Sequence, residues 1–289
     1  MLPRETGIGS TSIEIGAAMG VIFEEGMALS SGDHNAPLIG YDSVLTPSAC
    51  SATNQDAEHP ATNLANPATN LRWQTDDETS PVPEGSTITF TVSSADPVDY
   101  IGIAAHNLGT AAAPLTVEKN AGAGYVSFFP QRTLTDDTPV IFRFTPQVLT
   151  GVRLTIGAGT TFKRIGVVYI GRLLVLPLNL WQGHTPLPHG RATKVVNGES
   201  ESGQFLGRVV TQELVQSRML LQHITPAIYR SDIDPFLDAA KDTPFFVAWR
   251  PGDYPAETGY AWLKNDPAPV NQAPSGLVQL ELQMAGVVA

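Results

Sequence analysis

The sequence predicts a mainly β protein, in which a β-sandwich of the jelly-roll kind is followed by a smaller β-rich unit with one short helix. Three observations lead there. Glycine and proline are frequent, 26 and 23 of 289 residues, so turns recur along the chain. Short runs with period-two alternation stand between the turns: STITFTV at 86–92, VIFRFTP at 140–146 and GVRLTIG at 151–157. No helical period separates these runs, which speaks against alternating βαβ units and for sheets stacked face to face.

Taken in order, residues 1–38 show no clear period, and SSGDHNAP at 31–38 has loop chemistry. This segment is expected to be an extension that docks on a neighbour. The sandwich is placed at 39–177 and includes HPATNLANPATNLRWQT (59–75), which writes ATNL twice, seven residues apart. A heptad helix is excluded there because Pro60 and Pro67 interrupt it. Its Asn, Pro and Thr residues favour turns and local side-chain hydrogen bonds, so it reads as a structured loop that ends by inserting Trp73. VDYIGIAAHNL (98–108) begins as a buried strand, and RIGVVYIGRLLVLP, from Arg164, closes the region. DP at 96–97, NAGAG at 120–124, DDTP at 136–139 and TG at 150–151 supply the turns.

The proline- and glycine-rich stretch that starts at Leu178 is a connector, taken as 178–193. The second unit spans 194–289. Residues 201–225 are strand-like; Ser231 and Asp232 before Ile233, Pro235 in a first turn, and apolar Phe236, Leu237 and Ala240 predict a short amphipathic helix. FFVAWRP (245–251), GYAWLK (259–264) and GLVQLELQMAGVV (276–288) are again strand-like. The last and longest is expected to meet a neighbouring chain edge to edge.

Composition excludes several classes. The net charge is -11 and no Lys/Arg cluster stands out, so a surface that tracks nucleic-acid phosphates is not expected. Cys50 is the one cysteine, which rules out an intrachain disulfide framework. The apolar patch at 15–23 lacks a basic flank, so no signal peptide is read, and no run of about twenty apolar residues predicts a membrane span.

The loop 59–75, the strands STITFTV, VDYIGIAAHNLG and VRLTIG, and the closing RIGVVYIGRLL resemble the galactose-binding-like jelly roll of discoidin and coagulation-factor type C domains, most closely the versions in phage tail and baseplate proteins. The likeness covers about 40–177. It implies that Asn63, Leu64 and Trp73 organise the first loop, and that Asp99, Ile101 and Ile103 lie on a core strand leading to His106 and Asn107. Each Leu of the ATNL repeat is then expected to be buried, and each Asn to satisfy backbone groups. The polar turn NGESESG, long strands, short helix and PFFVAWRPGDYP are similar in layout to the C-terminal parts of distal-tail-like phage adaptor proteins.

No residue set forms a catalytic constellation, and no G-x-S-x-G elbow or P-loop occurs. His184 and His189 flank TPLP without a cysteine nearby, and prolines between them prevent a helical i, i+4 presentation, so two linker histidines are expected and no metal or cofactor. Asp76, Asp77 and Glu78, and Asp136 and Asp137, read as solvated turn charges lacking the spacing of a calcium loop. The candidate ligand or interface residues are Arg72 with Trp73, His106 with Asn107, and Trp249 with Arg250, because Trp and Arg dominate binding hot spots and an amide beside a His can hold a sugar hydroxyl. The resulting expectation is a non-enzymatic structural component of a phage tail tip or baseplate. It would be assembled in the host cytoplasm, form a homo-oligomeric ring with other tail proteins, and present its loops to the host surface. The alternative is a carbohydrate-binding module for host surface glycan.

Overall fold

The computed structural model describes residues 20–76, 84–177, 180, 183–272 and 276–287. Chain order runs β1 (Val21–Phe23), one helical turn α1 (Ser31–His34), β2 (Leu38–Gly40), β3 (Cys50–Ala52), β4 (Trp73–Gln74), β5 (Ser86–Thr91), β6 (Val98–His106), β7 (Pro114–Asn120), β8 (Tyr125–Ser127), β9 (Arg132–Thr133), β10 (Val140–Gln147), β11 (Gly151–Ile156), β12 (Arg164–Gly171) and β13 (Leu174–Val175). There follow β14 (Lys194–Glu199), β15 (Phe205–Gln212), β16 (Val215–Ile224), α2 (Pro226–Ile228), a π-helical turn (Tyr229–Ile233), α3 (Asp234–Ala240), β17 (Phe245–Ala248), β18 (Thr258–Leu263), β19 (Val270–Gln272) and β20 (Leu277–Val287). The protein is mainly β, as the alternating runs predict.

Two sheets form the sandwich. One has the order β1-β10-β6-β12-β4; the other runs β3-β5-β11-β7-β8, with β9 also on β7. Period-two alternation aims Ile101, Ile103, Phe142, Val168 and Ile170 of the first sheet at Ile88, Phe90, Val152 and Leu154 of the second, and these residues share one apolar core. A third sheet, β13-β2-β17-β18-β20-β16 with β19 on β20, belongs mostly to the C-terminal half. Its far face packs on α3 through Phe236, Leu237, Phe245 and Leu282.

The third sheet's near face is closed by the sandwich itself. Tyr100, Ala104, Val167 and Tyr169, on the outer face of the first sheet, form a common cluster with Leu38, Phe246 and Tyr260. The molecule is therefore a stack of three sheets capped by a helix. This explains why β6, β12 and β17 read as almost continuous apolar runs: both of their faces are covered. Two glycines allow the close approach. A Cβ on Gly102 would lie 2.6 Å from the Phe246 ring, and one on Gly40 would lie 2.7 Å from the Tyr100 ring, so each ring fills the gap left by the glycine opposite. Hydroxyls finish the joint: Tyr100 donates to Asp42 O at 2.6 Å, Tyr260 to Pro67 O at 2.7 Å and Tyr169 to Pro244 O at 3.0 Å.

Several expectations need correction. Residues 1–19 lie outside the described residues, but 20–38 do not extend to a neighbour: β1 pairs in parallel with β10, and β2 lies between β13 and β17. The burial of Val21, Ile22 and Leu38 drives this. SSGDHNAP holds the short helix α1, capped by the Ser30 hydroxyl. Asp77, Glu78 and residues 178, 179, 181 and 182 of the connector lie outside the described residues, whereas Leu187 is buried in the C-terminal core. The expected short helix is α3, with Pro235 in its first turn and Phe236, Leu237 and Ala240 buried, but a further helical turn, capped by Thr225, starts earlier at Pro226 and leads into it through the π-turn. Finally, β20 is not an edge, being flanked by β16, β18 and β19.

Candidate functional site

The ATNL loop is asymmetric. Its first copy forms a 3₁₀ turn over Ala61–Ala65 with Leu64 fully buried, and the Asn63 amide donates to Arg72 O at 2.9 Å, which ties the turn to the strand entry. The second copy is on the surface: Leu71 is 39 % exposed, contrary to expectation, because the chain turns there to aim Trp73 inward. Trp73 is fully buried, and its indole N–H finds no acceptor among the described residues.

His106 and Asn107 are spent on backbone. The His106 Nε2–H donates to Thr138 O at 2.9 Å while Nδ1 accepts from Leu108 N–H, and burial holds the ring's pKa below the ordinary histidine value, so it is neutral. Asn107 donates to Phe162 O and accepts from Arg164 N–H at 2.8 Å. Neither can turn to a sugar hydroxyl without losing these bonds.

Around them lies a cavity of about 280 Å³ at the end of the sandwich, lined by Thr69, Arg72, Ala105, His106, Asp137, Pro139, Arg164 and Val287. Arg72 reaches Gln74 at 3.3 Å, and Asp137 accepts from the Thr110 backbone and hydroxyl at 2.9 and 2.6 Å. The fold thus brings Arg72 and His106 to one cavity, with Trp73 and Asn107 behind its wall. Arg164, at the first position of β12, completes it; nothing in its local sequence marks it out, because only strand pairing sets it beside Arg72.

Trp249 and Arg250 sit elsewhere. Trp249 stacks nearly parallel on Tyr254 at 5.5 Å, Arg250 lies over both rings, and the indole N–H donates to Glu257. His184 stands 5.1 Å from the Trp249 ring and His189 lies 3.0 Å from Glu257, so the connector histidines dock on this cluster separately. Cys50 is buried, and desolvation pushes its thiol pKa up to about 11, away from nucleophilic use.

A further feature escaped the sequence reading. Strands β14 and β15 pair only with each other, and except for half-buried Gly207 every residue of both is exposed. Val195 pairs with Val210 and Val196 with Val209, so valines occupy both faces of this arm, followed by exposed Phe205 and Leu206. The signal was present as VV, FL and VV doublets, since consecutive strand residues point to opposite faces.

No family model matches the chain, and no curated protein matches it. Among solved structures, it is similar to a family 32 carbohydrate-binding module from C. perfringens NanJ in complex with galactose, at 17% identity and TM-score 0.38, covering 44% of this chain and 97% of that one. A second Clostridium perfringens module of this kind, in complex with GalNAc-β-1,3-galactose, has 16% identity and TM-score 0.38 over 45% of this chain and 99% of its own. A chitosan-binding module from Paenibacillus sp. IK-5 has 13% identity and TM-score 0.38 over 45% and 98%. These likenesses do not decide function; the sandwich stands on its own strand order and core.

Proposed function

We propose that this protein is a non-enzymatic interaction protein that works by subunit assembly, in the setting its sequence resemblance implies: the tail tip or baseplate of a tailed phage. The observation that carries this reading is the β14–β15 arm. A two-stranded ribbon is marginal in water by itself, and one with valines on both faces gains stability when another surface covers it. The three-sheet stack supplies the rigid base from which the arm projects. Electron cryo-microscopy of the particle fraction that contains this chain tests the reading. The expected result is a ring of copies among other tail proteins, with the arm inside a subunit contact; free monomers whose arm touches nothing would overturn it.

A second reading, recognition of a surface glycan, is favoured by the cavity that holds Arg72, Arg164, Thr69 and Asp137. Against it, Trp73 is buried and supplies no stacking platform there. A glycan array probed with the full chain and with Arg72→Ala/Arg164→Ala separates the two: this reading requires a hit that the double variant loses at least tenfold.

A further inference from the structure

The arm's tip and base differ in charge. Residues 199–204 carry Glu199 and Glu201 and no cation, in a turn fixed by Ser200, whose hydroxyl accepts from Gln204 N–H, and by Gly203 at φ +77°. Beside the base runs a groove of about 430 Å³ whose wall includes Arg191, Arg218, Lys264 and His189 and no carboxylate. Arg218 is neutralised by Glu281 at 2.5 Å, and His189 contacts Glu257, but among the described residues Arg191 and Lys264 pair with no carboxylate. On a chain of net charge -11, that is an unusual concentration of positive charge. A second groove, of about 530 Å³, shares Arg191 and adds apolar Pro188 and Leu214 together with one carboxylate, Glu213.

The tip cannot reach its own base. Paired strands of six and eight residues hold it roughly 20–25 Å away. An identical groove is present on every other copy. We propose that the arm's partner is a second copy of this chain, whose Arg191/Lys264 groove receives Glu199 and Glu201 while Pro188 and Leu214 meet one apolar face of the arm. The inference rests on the assembly reading above. Such a contact uses different surfaces on the two copies, so it is head-to-tail and generates a ring where the rotation closes. Being charge-led, it weakens as salt rises.

Disulfide trapping of the full chain tests this, because Cys50 is buried and does not compete. E201C mixed with K264C should give a cross-linked dimer on oxidation, and the double variant a ladder. Glu199→Lys with Glu201→Lys should weaken self-association at least tenfold, and adding Arg191→Glu with Lys264→Glu should restore it. Dimers of E201C alone, or wild-type association without the mixed cross-link, would overturn the proposed seat while leaving the arm as an interface. Should no cross-link form and the arm remain as protease-sensitive in the isolated assembly as in the free chain, both the seat and the assembly reading fall.

Discussion

Strand β17 and the β14–β15 arm carry the same local pattern, large apolar residues in consecutive positions, yet they meet opposite fates. In β17, Phe245 faces α3 and Phe246 faces the sandwich, and both are fully buried. In the arm, Val196 and Phe205 are 59 % and 65 % exposed. Consecutive apolar residues in a strand therefore say that both faces want cover, not that the chain itself provides it. Where the fold supplies two layers the pattern becomes core; where it supplies none, the pattern stays exposed, and that exposure is what the assembly proposal rests on.

The largest test of this contrast exchanges like for like. Phe246→Ala should cost about 3–5 kcal/mol in chemical denaturation, since it empties the joint against Gly102 and Tyr260. Phe205→Ala should change monomer stability by less than about 0.5 kcal/mol. Equal losses would mean that the arm packs on its own chain. The ATNL copies offer the same contrast on a smaller scale: Leu64→Ala should cost about 2–5 kcal/mol, and Leu71→Ala less than about 0.5 kcal/mol, by the same unfolding assay.

A third test concerns charge next to the joint. Asp99 accepts from Leu173 N–H at 2.7 Å, and its pKa is raised to about 6, mainly by burial, with Arg143 and Arg172 opposing the shift. A carboxyl whose folded pKa exceeds its unfolded value favours the fold at low pH, and that contribution disappears as pH rises through the folded value. Relative to Asp99→Asn, the wild type should lose up to about 3 kcal/mol between pH 4 and pH 7, read from denaturant midpoints across that range. A pH-independent difference would show that Asp99 is not desolvated.

Much of the sandwich was legible because its signals are local. Alternation in STITFTV and GVRLTIG marks one face packed on the core and one less buried, and β5 and β11 follow it; VIFRFTP also forms a strand, β10, but Val140 to Phe144 are all buried because the third sheet covers its outer face. The site was legible in part: Arg72 and His106 share a cavity, but no local signal showed that His106 and Asn107 would be consumed by backbone atoms of Thr138, Leu108, Phe162 and Arg164. Likewise, two identical ATNL tetrapeptides could not reveal that one is core and the other rim.

Local signals in the sequence were enough for the β class, for many of the places where the chain turns, for the rejection of a heptad at Pro60 and Pro67, and for the lack of cysteines to build a disulfide framework. These follow from backbone sterics, side-chain period and composition, which act over a few residues. That β1 and β2 belong to different sheets, that the third sheet closes the sandwich's outer face, and that the apolar arm is left uncovered emerges only from the packed fold. Each of those depends on which surfaces meet across long stretches of chain, and burial is a property of the meeting rather than of either segment alone.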